Sequence, residues 1–155
     1  MSLQEQELTN AGSQVYETGK VFEKFGLAPV NGRVLALFTV SEKAELTFEQ
    51  ICDYFGTSKS VISNSLNLLL SRKLIDFRTY KTGRKRYFFL TDRFFMVYFG
   101  EVLAAMGELR EVIYKTLSQN PSGSPEVSSR MLRWVATANI FEKELESAFE
   151  QLGRN

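Results

Sequence analysis

The chain has 155 residues, 44% of them apolar and 24% charged, the balance of a single folded domain rather than of a disordered tail. Histidine is absent and cysteine occurs once, at Cys52, which excludes the common Cys/His zinc sites, Cys-x-x-Cys redox pairs and histidine-based catalysis. Net charge is +1, yet the window 58–86 holds Lys59, Arg72, Lys73, Arg78, Lys81, Arg84, Lys85 and Arg86 against Asp76 alone, so a +7 patch sits in a chain that is otherwise −6.

From the N-terminus, Leu8, Ala11, Val15, Gly19, Phe22 and Phe25 step by three or four and predict an amphipathic helix, broken at Gly26-Leu27-Ala28-Pro29. Asn31 is the expected cap of a second helix. Its Val34, Leu35, Ala36, Leu37, Phe38 and Val40 are apolar on nearly every side, which places it at the centre of the fold. Thr47 and Gln50 have the spacing of a capping box, and Ile51, Tyr54 and Phe55 are expected to face inward until Gly56 ends the helix. Cys52, in the same segment, reads as a buried structural thiol. A tight turn at Gly56-Thr57-Ser58 then provides a new N-cap at Thr57 or Ser58, giving two helices around a turn.

The second of these helices is two-faced. With Ile62 at zero and about 100° per residue, Leu66, Leu69 and Leu70 fall within about 80° of it, while Ser60, Asn64, Asn67 and Ser71 cluster near about 180°. A merely solvated face would favour Glu, Lys and Arg, which are better helix formers than Ser and Asn. Short hydroxyl and amide groups instead permit close approach to base edges, where Asn can pair with adenine. Beyond this helix, β-branched and aromatic residues over 74–80 and 85–90 flank Lys81-Thr82-Gly83-Arg84, predicting a β-hairpin with a basic tip suited to DNA phosphates or a minor groove.

Thr91-Asp92 can cap a long helix carrying Phe95, Tyr98, Val102, Met106, Leu109, Ile113 and Leu117. Asn120 to Pro125 interrupts it, with Ser124 as cap and Pro125 at the first position of the last helix. There Val127, Met131, Trp134, Ala138, Phe141, Leu145, Ala148 and Leu152 make a heptad-like seam. The apolar stripes at 8–25, 95–117 and 127–152 exceed what a small winged helix covers alone, so a symmetric homodimer is expected. The fold class is therefore mainly α with a small β-hairpin wing: a winged helix-turn-helix lobe at 27–91, flanked by a helical dimerisation region at 4–26 and 92–154. No apolar run approaches the roughly 20 residues that span a bilayer, and no secretory signal is visible, so a cytoplasmic location without membrane contact is expected. Phosphate-loop, dinucleotide and nucleophile-elbow motifs are missing, and Glu142, Glu144 and Glu146 read as a solvated face. Neither an enzyme nor a cofactor is expected.

On Phe25-Gly26-Leu27 with Gly32-Arg33-Val34, on Leu46-Thr47 and Ile51, on the run Ser58 to Leu66 with Leu69, and on Gly83-Arg84-Lys85-x-Tyr87, the chain resembles MarR-type transcriptional regulators, and among them the GbsR branch named for a glycine-betaine-responsive repressor. The resemblance covers roughly residues 12–91, and the Ser-Lys-x-x-(Val/Ile)-Ser-x-x-Leu run is its most specific part. It implies a homodimer on a palindromic double-stranded DNA operator, with repression the commoner outcome. By position, Ser58, Lys59, Ser60, Ser63, Asn64 and Asn67 would face DNA, and Arg84 would be the wing-tip arginine beside Lys81, Lys85 and Arg86. MarR wings commonly carry Asp two residues before that arginine. Thr82 stands there instead, so the Asp–Arg brace of the wing is missing. Leu90-Thr91 matches the Leu-Thr that closes such wings. The class is often released from DNA by small molecules, and the branch implies choline or glycine betaine. Aromatic residues for a quaternary-ammonium cage exist in Phe94, Phe95, Tyr98, Phe99, Trp134 and Phe141, but no ligand residue is assigned. The alternative reading is a winged-helix adaptor that binds protein and not DNA.

Overall fold

The computed structural model describes residues 3–81 and 83–153, with side chains from residue 11 onward. Leu8 and Thr82, each used in the reading above, lie outside the described side chains. Six helices and three short strands follow in the order α1 (Leu3–Lys24), α2 (Pro29–Val40), β1 (Leu46–Thr47), α3 (Phe48–Phe55), α4 (Lys59–Ser71), β2 (Ile75–Thr79), β3 (Arg86–Leu90), α5 (Phe94–Gln119) and α6 (Pro125–Leu152). The chain folds as two compact units that divide between Phe94 and Phe95.

In the first unit α2 is the central element, as its all-round apolar surface requires: Val34, Leu35, Ala36, Leu37 and Phe38 are buried. Its start differs from expectation. Pro29 occupies the first turn behind Ala28, which makes no side-chain cap, and Asn31 lies inside the helix. Proline supplies the fixed φ that a first turn needs and has no N–H to satisfy, so the asparagine is not required as a cap. Across α2 lies α1, whose Val15 and Gly19 are buried and whose Phe22 packs with Phe25 around the ring of Phe94, at centroid distances of 5.2 Å each. The helices approach closely because Gly19 and Gly32 meet. A Cβ on Gly32 would stand 2.8 Å from the Gly19 carbonyl oxygen.

The capping box forms as expected, with Gln50 N–H donating to Thr47 Oγ1 (3.3 Å) and Thr47 N–H donating to Gln50 Oε1 (2.8 Å). Along α3 the buried residues are Ile51 and Cys52, while Phe55 is half-buried and Tyr54 is exposed. The inward placement expected of Tyr54 is thus corrected. At 100° per residue Phe48, Ile51, Cys52 and Phe55 share one arc of about 100°, and Tyr54 falls outside it. Gly56 closes α3 in the left-handed region at φ 57°, and Ser58 caps α4 by accepting from Val61 N–H at 3.4 Å.

The end of α4 is a Schellman turn: Leu74 N–H reaches Leu69 O (3.0 Å) and Lys73 N–H reaches Leu70 O (2.9 Å). Lys73 sits there at φ 58°, where glycine is usual. Strands β2 and β3 pair antiparallel from Ile75↔Leu90 to Thr79↔Arg86. The hairpin is anchored by Ile75 and Phe88, and it gains a third strand that sequence periodicity did not reveal. Residues Leu46 and Thr47 pair with Phe88 and Tyr87, giving the order β1-β3-β2. Thr91 Oγ1 accepts from Arg93 N–H at 3.4 Å just ahead of α5. Its hydroxyl donates toward the carbonyls of Lys73 (2.7 Å) and Leu74 (3.0 Å), which ties the return of the wing to the end of α4.

In the second unit α5 and α6 are joined through Arg110, which donates to Glu142 and, at 3.2 Å, to Asn139. Ser124 and Pro125 open α6 as expected, although the serine hydroxyl makes no cap bond. The predicted seam divides between two faces. Met131, Ala138 and Leu145 are half-buried alongside the buried Val135, whereas Val127, Trp134, Phe141 and Leu152 are exposed within the chain.

Candidate nucleic-acid interface

Helix α4 is held by one face. Ile62, Leu66 and Leu69 are at most 2% exposed, and with them in the core the opposite face has to be open. Lys59, Ser60, Asn64 and Asn67 are exposed and Ser63 is half-buried. Ser58 is exposed too, yet its hydroxyl is engaged twice, with Val61 N–H and with Ser60 Oγ at 3.1 Å. Its first task is to start the helix.

The wing stands beside this face. A groove of about 420 Å³ is lined on one side by Ser63, Leu66, Asn67 and Leu70 of α4 and on the other by Arg84, Lys85, Arg86 and Phe88, with Phe48 and Glu49 also lining it. The structure therefore brings Ser63 and Asn67 together with three of the expected wing cations. Lys81 is exposed at the tip, where Gly83 N–H closes a turn onto Tyr80 O at 3.1 Å. Arg86 is partly committed, since its guanidinium lies 4.4 Å from the Phe77 ring centroid.

Glu49 lines the same groove, a placement that sequence reasoning missed. It lies in the first turn of α3 and its carboxyl is held below the ordinary range, first by its own backbone N–H, then by the charge of Lys85, by the Thr47 side chain and by the charge of Lys59. An acid among these cations can accept from a cytosine amine and repels phosphate. Its position two residues after the capping threonine was legible, but its facing the wing was not.

The strands carry a second cluster on the other face of the sheet. Glu45, just before β1, accepts Arg78 Nε at 2.5 Å and the Tyr80 hydroxyl at 2.8 Å, and the latter bond raises the Tyr80 pKa above its usual value. Arg78 also lies 4.6 Å from the Phe89 ring centroid, and Tyr80 meets Tyr87 edge-on at 5.0 Å.

A helix with a short-polar open face, a preceding helix across a tight turn and a cationic hairpin at its side make up a winged helix. Residues 25–85 match the model of the MarR family. Among solved structures, one described as a transcriptional regulator is similar at a TM-score of 0.71 and 21% identity, over 94% of this chain and 99% of its own. A transcriptional regulator from Thermotoga maritima gives 0.45 at 18% identity, covering 97% of this chain and 96% of its own. A DNA complex of MepR from S. aureus gives 0.42 at 20%, covering 76% and 98%. The first of these shares the fold of this chain over a span that takes in the long C-terminal helices, and no curated protein matches the chain. Among the described residues no His/Cys/Asp/Glu group could hold a metal ion, and no helix is long and apolar enough to cross a membrane.

The aromatic residues noted for a cage make the following ring contacts. Phe94 is packed by Phe22 and Phe25, Phe95 stacks on Phe99 at 6.2 Å, and Tyr98 meets Phe99 edge-on at 5.3 Å.

Proposed function

We propose that this MarR-type chain is a homodimeric transcriptional regulator that binds duplex DNA. Residues 27–91 form the reading lobe, and 4–26 with 92–154 form the dimerisation region. In this reading Ser60, Ser63, Asn64 and Asn67 approach base edges in the major groove, Ser58 and Lys59 hold phosphate at the start of α4, and Lys81, Arg84, Lys85 and Arg86 hold the flanking backbone. The observation that carries it is the groove in which Ser63 and Asn67 of α4 face Arg84, Lys85 and Arg86 of the wing. In this reading the groove sets a polar helix face for base edges beside a cationic wing for phosphates.

The test is selection from a randomised duplex pool at two salt concentrations, read by sequencing and fluorescence anisotropy. Enrichment of a palindrome supports the reading, and absence of binding at low salt overturns it in favour of a protein-binding adaptor. On the selected operator, Asn64→Ala should cost about 1 to 3 kcal/mol of discrimination at one base position. Arg84→Ala should instead weaken all duplexes alike and lower the salt slope by about one. The finer assignment to the GbsR branch draws on Phe25-Gly26-Leu27 and Gly32-Arg33-Val34. It predicts that choline or glycine betaine at millimolar concentration changes operator affinity, and unchanged anisotropy titrations would remove it.

A further inference from the structure

We propose that Glu45 is the positioning residue of the wing, a brace that sets the basic tip against the reading helix from outside the hairpin. The proposal rests on the DNA-binding reading above and adds the device that makes the wing a fixed clamp. A two-stranded hairpin with exposed outer residues is marginal on its own and needs lateral support. Here the support crosses the whole sheet. In the order β1-β3-β2, Arg78 and Tyr80 belong to β2 and its continuation, on the far side of β3 from Glu45. Residues 78 and 80 are two apart on an extended strand, so both side chains leave the same face. They run over β3, the arginine above the Phe89 ring and the tyrosine against Tyr87, and end on the two oxygens of one carboxylate. The Glu45 side chain is 17% exposed against 54% for Arg78, so the acid is the sheltered centre of the cluster. Tyr80 is also the residue whose carbonyl closes the tip turn onto Gly83, which places the tether at the root of the basic segment 81–86. Thr82 stands where related wings commonly carry an aspartate, and Glu45 supplies an acid brace from another part of the chain.

The brace makes a prediction opposite in sign to charge alone. Glu45→Ala deletes an anion beside a cationic patch and frees Arg78, so counterion release by itself would tighten duplex binding. Loss of a positioned wing weakens it instead. The experiment compares the full chain with Glu45→Ala, Glu45→Gln and Tyr80→Phe in two readouts: the rate of limited trypsin cleavage after Lys81, Arg84, Lys85 and Arg86, and affinity for the selected operator at two salt concentrations. Melting temperatures identify any variant that has lost its fold.

Glu45→Ala should raise tip cleavage several-fold and weaken operator binding about tenfold, the order expected when several phosphate contacts lose their fixed placement. Glu45→Gln retains an oxygen acceptor and should recover most of both effects. Tyr80→Phe keeps charge and ring packing and should move both readouts in the same direction by about twofold, because one neutral-donor bond is lost. Unchanged tip cleavage in a folded Glu45→Ala variant overturns the brace, and so does operator binding that is equal or tighter. If the unaltered chain binds no duplex, the regulator reading falls, and cleavage alone decides the brace.

Discussion

Ser65 stands on the core side of α4, 1% exposed, with its hydroxyl making no hydrogen bond. A buried hydroxyl left unpaired costs about 1 to 3 kcal/mol of desolvation, whereas the volume lost in a change to alanine is a single oxygen. Alanine is also the better helix former by about 0.5 kcal/mol. Both terms have the same sign, so Ser65→Ala should stabilise the chain by about 1.5 kcal/mol or more in urea denaturation, and a destabilised variant would show that the hydroxyl has a partner in solution. Cys52 is governed by the same solvent exclusion. Burial is the leading cause that pushes its thiol above the ordinary value, opposed by the charge of Lys59. The folded thiol therefore stays protonated where a free one ionises, and its contribution to stability is complete below the ordinary thiol pKa and lost as pH rises through the folded value. Alkylation by iodoacetamide at pH 8 should be much slower than for a free thiol and should accelerate on adding urea. Equal rates in the two conditions would mean that the site is open.

At the scale of elements, the crossing of α1 and α2 is set by glycine. For Gly32→Ala, helix propensity favours the change by about 1 kcal/mol, but the new methyl group meets a backbone oxygen at 2.8 Å, which only a shift of α1 can relieve. Overpacking of this kind costs about 1 to 3 kcal/mol, so the clash wins and the variant should melt lower. Gly12→Ala, on α1, meets nothing within 4 Å and should melt slightly higher, which separates packing from propensity. Helix α4 was legible in the sequence because its two faces differ in kind, Ile62, Leu66 and Leu69 against Ser60, Asn64 and Asn67, and because Thr47, Gly56 and Ser58 mark helix ends chemically. Strand β1 was not legible: two residues have no periodicity, and their pairing with Tyr87 and Phe88 is long-range. The same distance in sequence hid the contacts of Glu45 with Arg78 and Tyr80 and the approach of Glu49 to the wing. A one-dimensional pattern shows which face is open but not what stands opposite it.

At the scale of the whole molecule, the seam of α6 combines two demands that a single chain satisfies only in part. Val127, Trp134 and Phe141 recur every seven residues and are 54%, 65% and 58% exposed, and Leu152 falls on the same line at 55%. Large apolar side chains aligned in this way are a partner surface more often than a solvated one, because each aromatic ring alone can bury about 150 to 250 Å². A two-fold interface lets the same line meet its own copy, and it also presents two α4 helices to successive turns of a palindrome. Trp134→Glu places a charge in the middle of the seam, where two copies would bring like charges together. Light scattering at micromolar concentration should give twice the 17.7 kDa chain mass for the parent protein and a mass approaching one chain for the variant. Operator affinity should fall by about a hundredfold or more with single half-site binding unchanged, since linking two reading heads contributes about 10²- to 10⁴-fold without any new contact. A variant that remains dimeric would place the interface elsewhere, and a monomeric parent would leave one α4 per operator and remove the argument for a palindrome.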